Sequence, residues 1–168
     1  MEVFDAVRTV LAVRQFQDKP IPEPIVRQIV EAGRLTASSM NGQPWHFIVV
    51  RERERLKRLS ELGPFAVHLA GAAFAVVFAS PDPTGRWSIA FDLGQAAAYM
   101  QLAAWELGVG SCIASIYEPD KAKAMLGAPD DLHLQMALSF GYPAQVQDRP
   151  PRKGGRRSLA EVVHWEQW

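Results

Sequence analysis

The chain has 168 residues, 48% hydrophobic and 21% charged, so it can bury a core and does not read as disordered. Its 18 basic and 18 acidic residues cancel, which argues against the net basic face that nucleic-acid binding requires. The single cysteine, Cys112, excludes an intrachain disulfide and a cysteine-cluster metal site, and it fits a reducing compartment such as the cytoplasm.

The N-terminus "MEVFDAVRTV" carries an early acid and no long apolar run, so it does not read as a signal peptide. Val3, Phe4, Val7 and Val10 fall on one face of a helix over residues 2–10. "QDKPIPEPI" breaks the pattern, and Pro24 stands where the first turn of a new helix tolerates it. That helix runs from about Glu23 to Leu35, with Ile25, Val26, Ile29, Val30 and Gly33 inward. "HFIVV" at 46–50 is a strand, and "RERERLKRLSEL" is a charged surface helix. A short helix over Ala66–Ala73 leads into a buried strand, Phe74–Ala79, which "SPDPTG" ends. Trp87–Leu107 reads as a long helix, apolar on most sides and therefore central. "GVGSCIASIY" is a strand, Pro119–Leu126 a helix closed by Gly127, and "HLQMALSFGYP" a strand. The Pro- and Arg-rich segment from Ala144 to Ser158 reads as extended, and the chain ends on two more tryptophans. No repeat and no linker divides it, so residues 1–168 are expected to form a single domain of α+β class. No uninterrupted apolar run reaches the roughly 18 residues of a membrane span.

The search for chemistry finds little of the usual kind. HExxH, CxxC and GxSxG are absent, and the four histidines lack metal-like spacing. "GVGSC" lacks the spacing of a phosphate loop and precedes a strand. Cys112, inside an apolar strand, reads as an inert buried thiol. Three features remain. Arg14 is the only charge between Ala12 and Gln17. "PPRKGGRR" (150–157) places four basic residues within six positions, a solvated tail or a loop closing on a phosphate. "TASSMNGQPWHFIVV" (36–50) sets polar groups directly before a tryptophan and a strand. Polar, basic and aromatic groups without a nucleophile or an acid–base pair fit chemistry carried by a bound organic cofactor.

Five segments occur in an order and spacing that resemble the nitroreductase family: "AVRQF…KPIP", "ASSMNGQPWHFIVV", "DLGQAAAYMQLAAWELGVGSC", "FGYP" and "RRSLAEVVHWEQW". The resemblance covers residues 2–168. It implies a three-layer α+β fold, with a mixed, mainly antiparallel sheet flanked by helices, a long central helix and a C-terminal arm reaching a dimer partner. It also implies FMN at a homodimer interface, with NADH or NADPH as co-substrate and a small-molecule electron acceptor such as a nitroaromatic or a quinone. By position, Arg14 matches the basic residue at the flavin's polar edge. Ser38, Ser39 and Asn41 match hydrogen-bonding groups supplied by the partner chain. Pro44 and Trp45 match the start of the strand behind them. Ala114 and Ser115 match the backbone N–H groups near N5 and O4. Arg156, with Lys153 or Arg157, matches the late phosphate-gripping basic residue. Many relatives read Arg-Arg-Ser-x-Arg where this chain has Val10, Leu11, Ala12, Val13 and Arg14, and Arg8 is the nearby substitute for the missing charge. Another flavin reaction on the same scaffold, such as dehalogenation, heterocycle oxidation or flavin breakdown, stays open, as does a non-catalytic flavin-binding dimer.

Overall fold

The structure is a computed structural model that describes residues 1–145 and 155–168. Five α-helices occur among them: α1 (Val3–Thr9), α2 (Glu23–Arg34), α3 (Arg53–Ser60), α4 (Trp87–Glu106) and α5 (Pro119–Leu126). The strands are β1 (His46–Val50), β2 (Phe74–Ser80), β3 (Gly110–Ser115) and β4 (His133–Gly141), in the sheet order β1-β2-β4-β3. Every pairing between these strands is antiparallel. Among the described residues, the parallel character expected of the sheet is confined to one isolated bridge, Ala12 to Ser111.

The alternation along β2 builds both cores. Phe74, Val76 and Phe78 point to one face and Ala75, Val77 and Ala79 to the other, and all are buried. The aromatic face packs under α2 and α4 with Ile29, Met100, Leu138 and Phe140. Phe74 stacks on Phe140 at 4.6 Å between ring centroids. The small-residue face meets α3 and α5 through Leu56, Leu59 and Ala122. Helices on both faces of one sheet make the three layers.

The fit of residues 12–17 onto the sheet decides where Arg14 stands. The Val13 N–H donates to the Ser111 carbonyl (2.9 Å), and the Gln17 N–H to that of Tyr142 (2.8 Å). Val13 lies over Gly110 and Phe16 over Gly141. A Cβ added at either glycine would come within 2.6 Å of those side chains. Glycine is therefore required for this close approach.

The apolar face expected of α1 has no cover among the described residues, since Val3, Phe4 and Val7 are exposed. Helix α4 buries only one side, with Ile89, Ala96, Ala97, Met100 and Ala104 inward and Trp87, Phe91 and Tyr99 outward. Apolar periodicity identifies a face that water disfavours, but it does not say which body covers that face. Most of the expected extended segment, residues 146–154, lies outside the described residues. Leu159, Trp165 and Trp168 beyond it are exposed.

A Gly110→Ala substitution should destabilise the fold by about 1–3 kcal/mol, the range for overpacking a tight contact. Val13 is β-branched and cannot swing away cheaply. Urea denaturation checks this, and an unchanged midpoint would show that residues 12–17 adjust freely.

Candidate functional site

Arg14 is solvent-exposed between two anchored neighbours, Val13 and Phe16. Its charge acts on two buried groups behind it, Cys112 and His68. Burial pushes the Cys112 thiol up, against the opposing pull of Arg14 and the Ile113 backbone. This agrees with an inert thiol.

The phase of the β3 ladder decides which backbone groups face outward. The Ser111 carbonyl accepts from Val13 on the outer edge, whereas the Ile116 N–H donates inward to Gln135 (3.0 Å). Antiparallel strands alternate these directions. Ser111, Ile113 and Ser115 therefore turn their backbone groups outward, while Cys112 and Ala114 turn theirs to β4. Of the two positions expected to offer a backbone N–H, only Ser115 directs it to the outer edge. The Ala114 N–H belongs to the ladder with Ala137.

The second group of predicted residues lies on a loop with unusual backbone. Met40, Asn41 and Gln43 have φ values of 52°, 52° and 43°. Non-glycine residues in this region cost on the order of 1–3 kcal/mol each unless their surroundings hold them. Two bonds do so here. The Ser38 hydroxyl oxygen accepts from the Gln43 N–H (2.9 Å). The Asp92 carboxylate accepts from the Ser39 N–H, at 3.1 Å to Oδ2 and 3.3 Å to Oδ1. Behind the loop, Trp45 is buried in the core and stacks on Phe47.

The two groups are tied to different points of α4. Asp92 on α4 holds the loop, and Gln101 on α4 donates to the Ser111 hydroxyl (3.4 Å) beside Arg14's strand segment. Nine positions of helix separate these anchors, about 14 Å at 1.5 Å per residue. The basic candidates are also dispersed. Arg8 is paired with Asp5 at 2.5 Å. Arg156 and Arg157 are exposed on the C-terminal segment, and Lys153 lies outside the described residues.

Sequence reasoning missed two buried polar groups. Asp92 was detectable as the lone acid in an apolar helix, "IAFDLGQAAA". His68, on the turn Val67–Gly71, places Nδ1 2.8 Å from the Ser139 hydroxyl, which in turn lies 3.3 Å from the Cys112 carbonyl. Its Nε2 is buried and has no hydrogen-bond partner among the described residues. Burial lowers the His68 pKa, and the charge of Arg14 lowers it further, against the nearby Ile113 and Phe65 backbone. His68 is thus held neutral.

A pH dependence follows. The folded-state pKa of His68 lies below its unfolded value of 6.5. The unfolded chain therefore binds the extra proton, and stability is lost as pH falls below about 6.5. Melting temperatures at about pH 7.5 and pH 5 should differ more in the wild type than in His68→Gln. Equal losses would place the acid sensitivity elsewhere.

Comparison with known proteins bears on this arrangement. The Nitroreductase family description matches residues 8–66 and 64–142. A protein of Archaeoglobus fulgidus with the provisional name NADH dehydrogenase/NAD(P)H nitroreductase is 31% identical over 174 residues, covering 99% of each chain. The FMN reductase [NAD(P)H] of Bacillus subtilis is 25% identical over 173 residues, covering 90% of this chain and 70% of its own. The solved structure of an FMN-dependent nitroreductase from Clostridium difficile R20291 superposes with a TM-score of 0.88 at 24% identity, covering 99% of this chain and 100% of that one. With its three-layer fold, its Arg14 segment and its polar loop before Trp45, this chain belongs to the nitroreductase family.

Proposed function

We propose that the chain is an FMN-dependent NAD(P)H oxidoreductase whose cofactor sites lie between two copies of the chain. The observation that carries this reading is Arg14, exposed between Val13 and Phe16, which are fixed on the outer edge of the sheet at Ser111, Gly110 and Gly141. The exposed donors suit FMN: a guanidinium and a strand edge for a planar ring with polar edges, and hydroxyl and amide groups for its side chain. Arg156 and Arg157 supply positive charge for the phosphate. When bound, FMN supplies hydride chemistry, linking NADH or NADPH to an oxidised acceptor such as a nitroaromatic or a quinone.

The chain's own residues orient and polarise. The positive charge of Arg14 favours the electron-rich state of a ring beside it. Neutral His68 adds no second charge there. The Ser115 N–H offers a donor to the ring edge, and the Ser38–Asn41 loop offers polar groups from the second copy. No side chain need act as acid or base.

The loop and the Arg14 side are anchored about 14 Å apart along α4, at Asp92 and Gln101, and we assign the loop of one chain and Arg14 of the other to each site. The exposed Phe4, Trp87, Phe91, Trp165 and Trp168 supply an apolar surface for association. A second reading, a flavin-binding dimer without reductase activity, rests on Val10, Leu11 and Ala12 standing where many relatives carry Arg-Arg-Ser.

Protein purified without added cofactor should show a flavin absorbance spectrum and release about one FMN per chain on heating, one ring per Arg14. With NADH or NADPH and a quinone, initial-rate lines should run parallel, as in ping-pong exchange. Intersecting lines would overturn the ping-pong scheme, in which the two substrates occupy one site in turn. A colourless protein that takes up no added FMN would sink the cofactor assignment. The same preparation should sediment as a dimer, and a monomer with a full complement of FMN would refute the two-chain site.

A further inference from the structure

The inference concerns Asp92. It lies on α4, a helix with no other acidic residue between Trp87 and Ala104, and its side chain is buried at 4% exposure. Both of its carboxylate oxygens reach the same donor, the Ser39 N–H, which is 53 residues away in sequence. A buried carboxylate is costly to desolvate and persists where it is hydrogen-bonded.

The loop that receives this bond needs an external hold. Within five positions, Met40, Asn41 and Gln43 occupy the left-handed region without the freedom of glycine. The Ser38–Gln43 bond closes the loop on itself but does not fix it to the rest of the fold. The Asp92–Ser39 bond does, because α4 is itself packed in the core through Ala96, Ala97 and Met100. Ser39 is the first residue of the turn Ser39–Asn41, so fixing its N–H sets the direction in which the turn leaves Ser38.

We propose that Asp92 is a positioning residue of the cofactor site. It holds the Ser38–Asn41 loop in its binding geometry before the ligand arrives. The assignment rests on the FMN reading given above. It accounts for an acid in an apolar helix that otherwise has only a packing role to play. A loop ordered in advance loses less freedom on binding, so the tether should act on affinity. It should not act on the electronic state of the ring, since α4 meets the Arg14 side of the sheet at Gln101, about 14 Å of helix beyond Asp92.

The test uses the full-length protein and its variants Asp92→Asn, Asp92→Ala and Ser39→Pro. Asparagine keeps an acceptor for the Ser39 N–H but loses the charge. Alanine removes the acceptor. Proline removes the N–H itself and leaves α4 untouched, and Ser38 already has the extended backbone (φ −144°, ψ 156°) that a following proline requires. FMN affinity is read by flavin fluorescence, and backbone exchange by deuterium uptake. Asp92→Ala and Ser39→Pro should each weaken FMN binding by about tenfold to a hundredfold, the range for one lost charge-assisted hydrogen bond. Asp92→Asn should fall between them and the wild type. Exchange should accelerate in residues 38–43 and not across the sheet, and the flavin midpoint potential should stay unchanged.

If Asp92→Ala does not fold, Ser39→Pro carries the same comparison from the other end of the bond, read against Ser39→Ala, which loses the same hydroxyl but keeps the N–H and should bind FMN more tightly than Ser39→Pro. Exchange that accelerates throughout the chain would mean that Asp92 serves the fold alone, and would overturn the proposal. So would wild-type affinity in Asp92→Ala or Ser39→Pro. A wild-type protein that takes up no FMN overturns the cofactor reading itself. That outcome differs from failure of Asp92 alone, in which wild type and variants bind equally.

Discussion

The contact between residues 12–17 and the sheet is the constraint from which the site follows. Val13 and Phe16 can approach only because Gly110 and Gly141 present no Cβ. The bond from Val13 to Ser111 then fixes the register of the segment along β3. Arg14, between the two anchors, stays exposed while its backbone is held. A charge on a fixed backbone can act on a ligand at low entropic cost, whereas one on a free loop would first have to be ordered. The same bond sets the phase of the strand's outer edge, because it takes the Ser111 carbonyl and leaves Ile113 and Ser115 turned the same way.

Helix α4 organises the remainder. Its inward face joins α2 and the sheet, and its length separates two tasks: Asp92 holds the polar loop, and Gln101 meets the Arg14 side of the sheet. The helix between them keeps these two anchors about 14 Å apart. Its outward face, with Trp87, Phe91 and Tyr99, lies uncovered. Covering a large apolar side chain is worth about 1.5–3 kcal/mol, so these residues together with α1 and the C-terminal aromatics supply ample driving force for association. Placing the cofactor at that junction would make association and site assembly one event.

Much of this was legible in the sequence, and the exceptions have physical causes. β1 was readable at its observed bounds because "HFIVV" runs from the Gly-Gln-Pro turn before Trp45 to the charged run that opens at Arg51, and α4 was readable because few polar residues interrupt it. The loop before Trp45 stood out through its mixture of polar groups. Its backbone did not, because left-handed φ at Met40 and Gln43 carries no residue signature of the kind that glycine gives. The ladder phase that separates Ser115 from Ala114 depends on which strand pairs on which side, and single-strand alternation does not contain that information. Asp92 and His68 were visible as residue types, but their partners lie 53 and 71 positions away. Long-range pairing is what the fold adds to composition.

His68 lies within reach of the Arg14 charge, in a core that already disfavours charge. Protonating it would place a second cation near the Ile113 peptide, at the cost of desolvation and of repulsion from Arg14. The protein avoids both while Ser139 partners Nδ1. Arg14 then remains the dominant positive charge at that edge over the neutral pH range. A reductase needs this condition if one fixed cation is to set how readily a bound ring accepts electrons. If FMN binds as proposed, Val10, Leu11 and Ala12 leave Arg14 as the cation of the early segment whose backbone the sheet holds, through Val13 on Gly110 and Phe16 on Gly141.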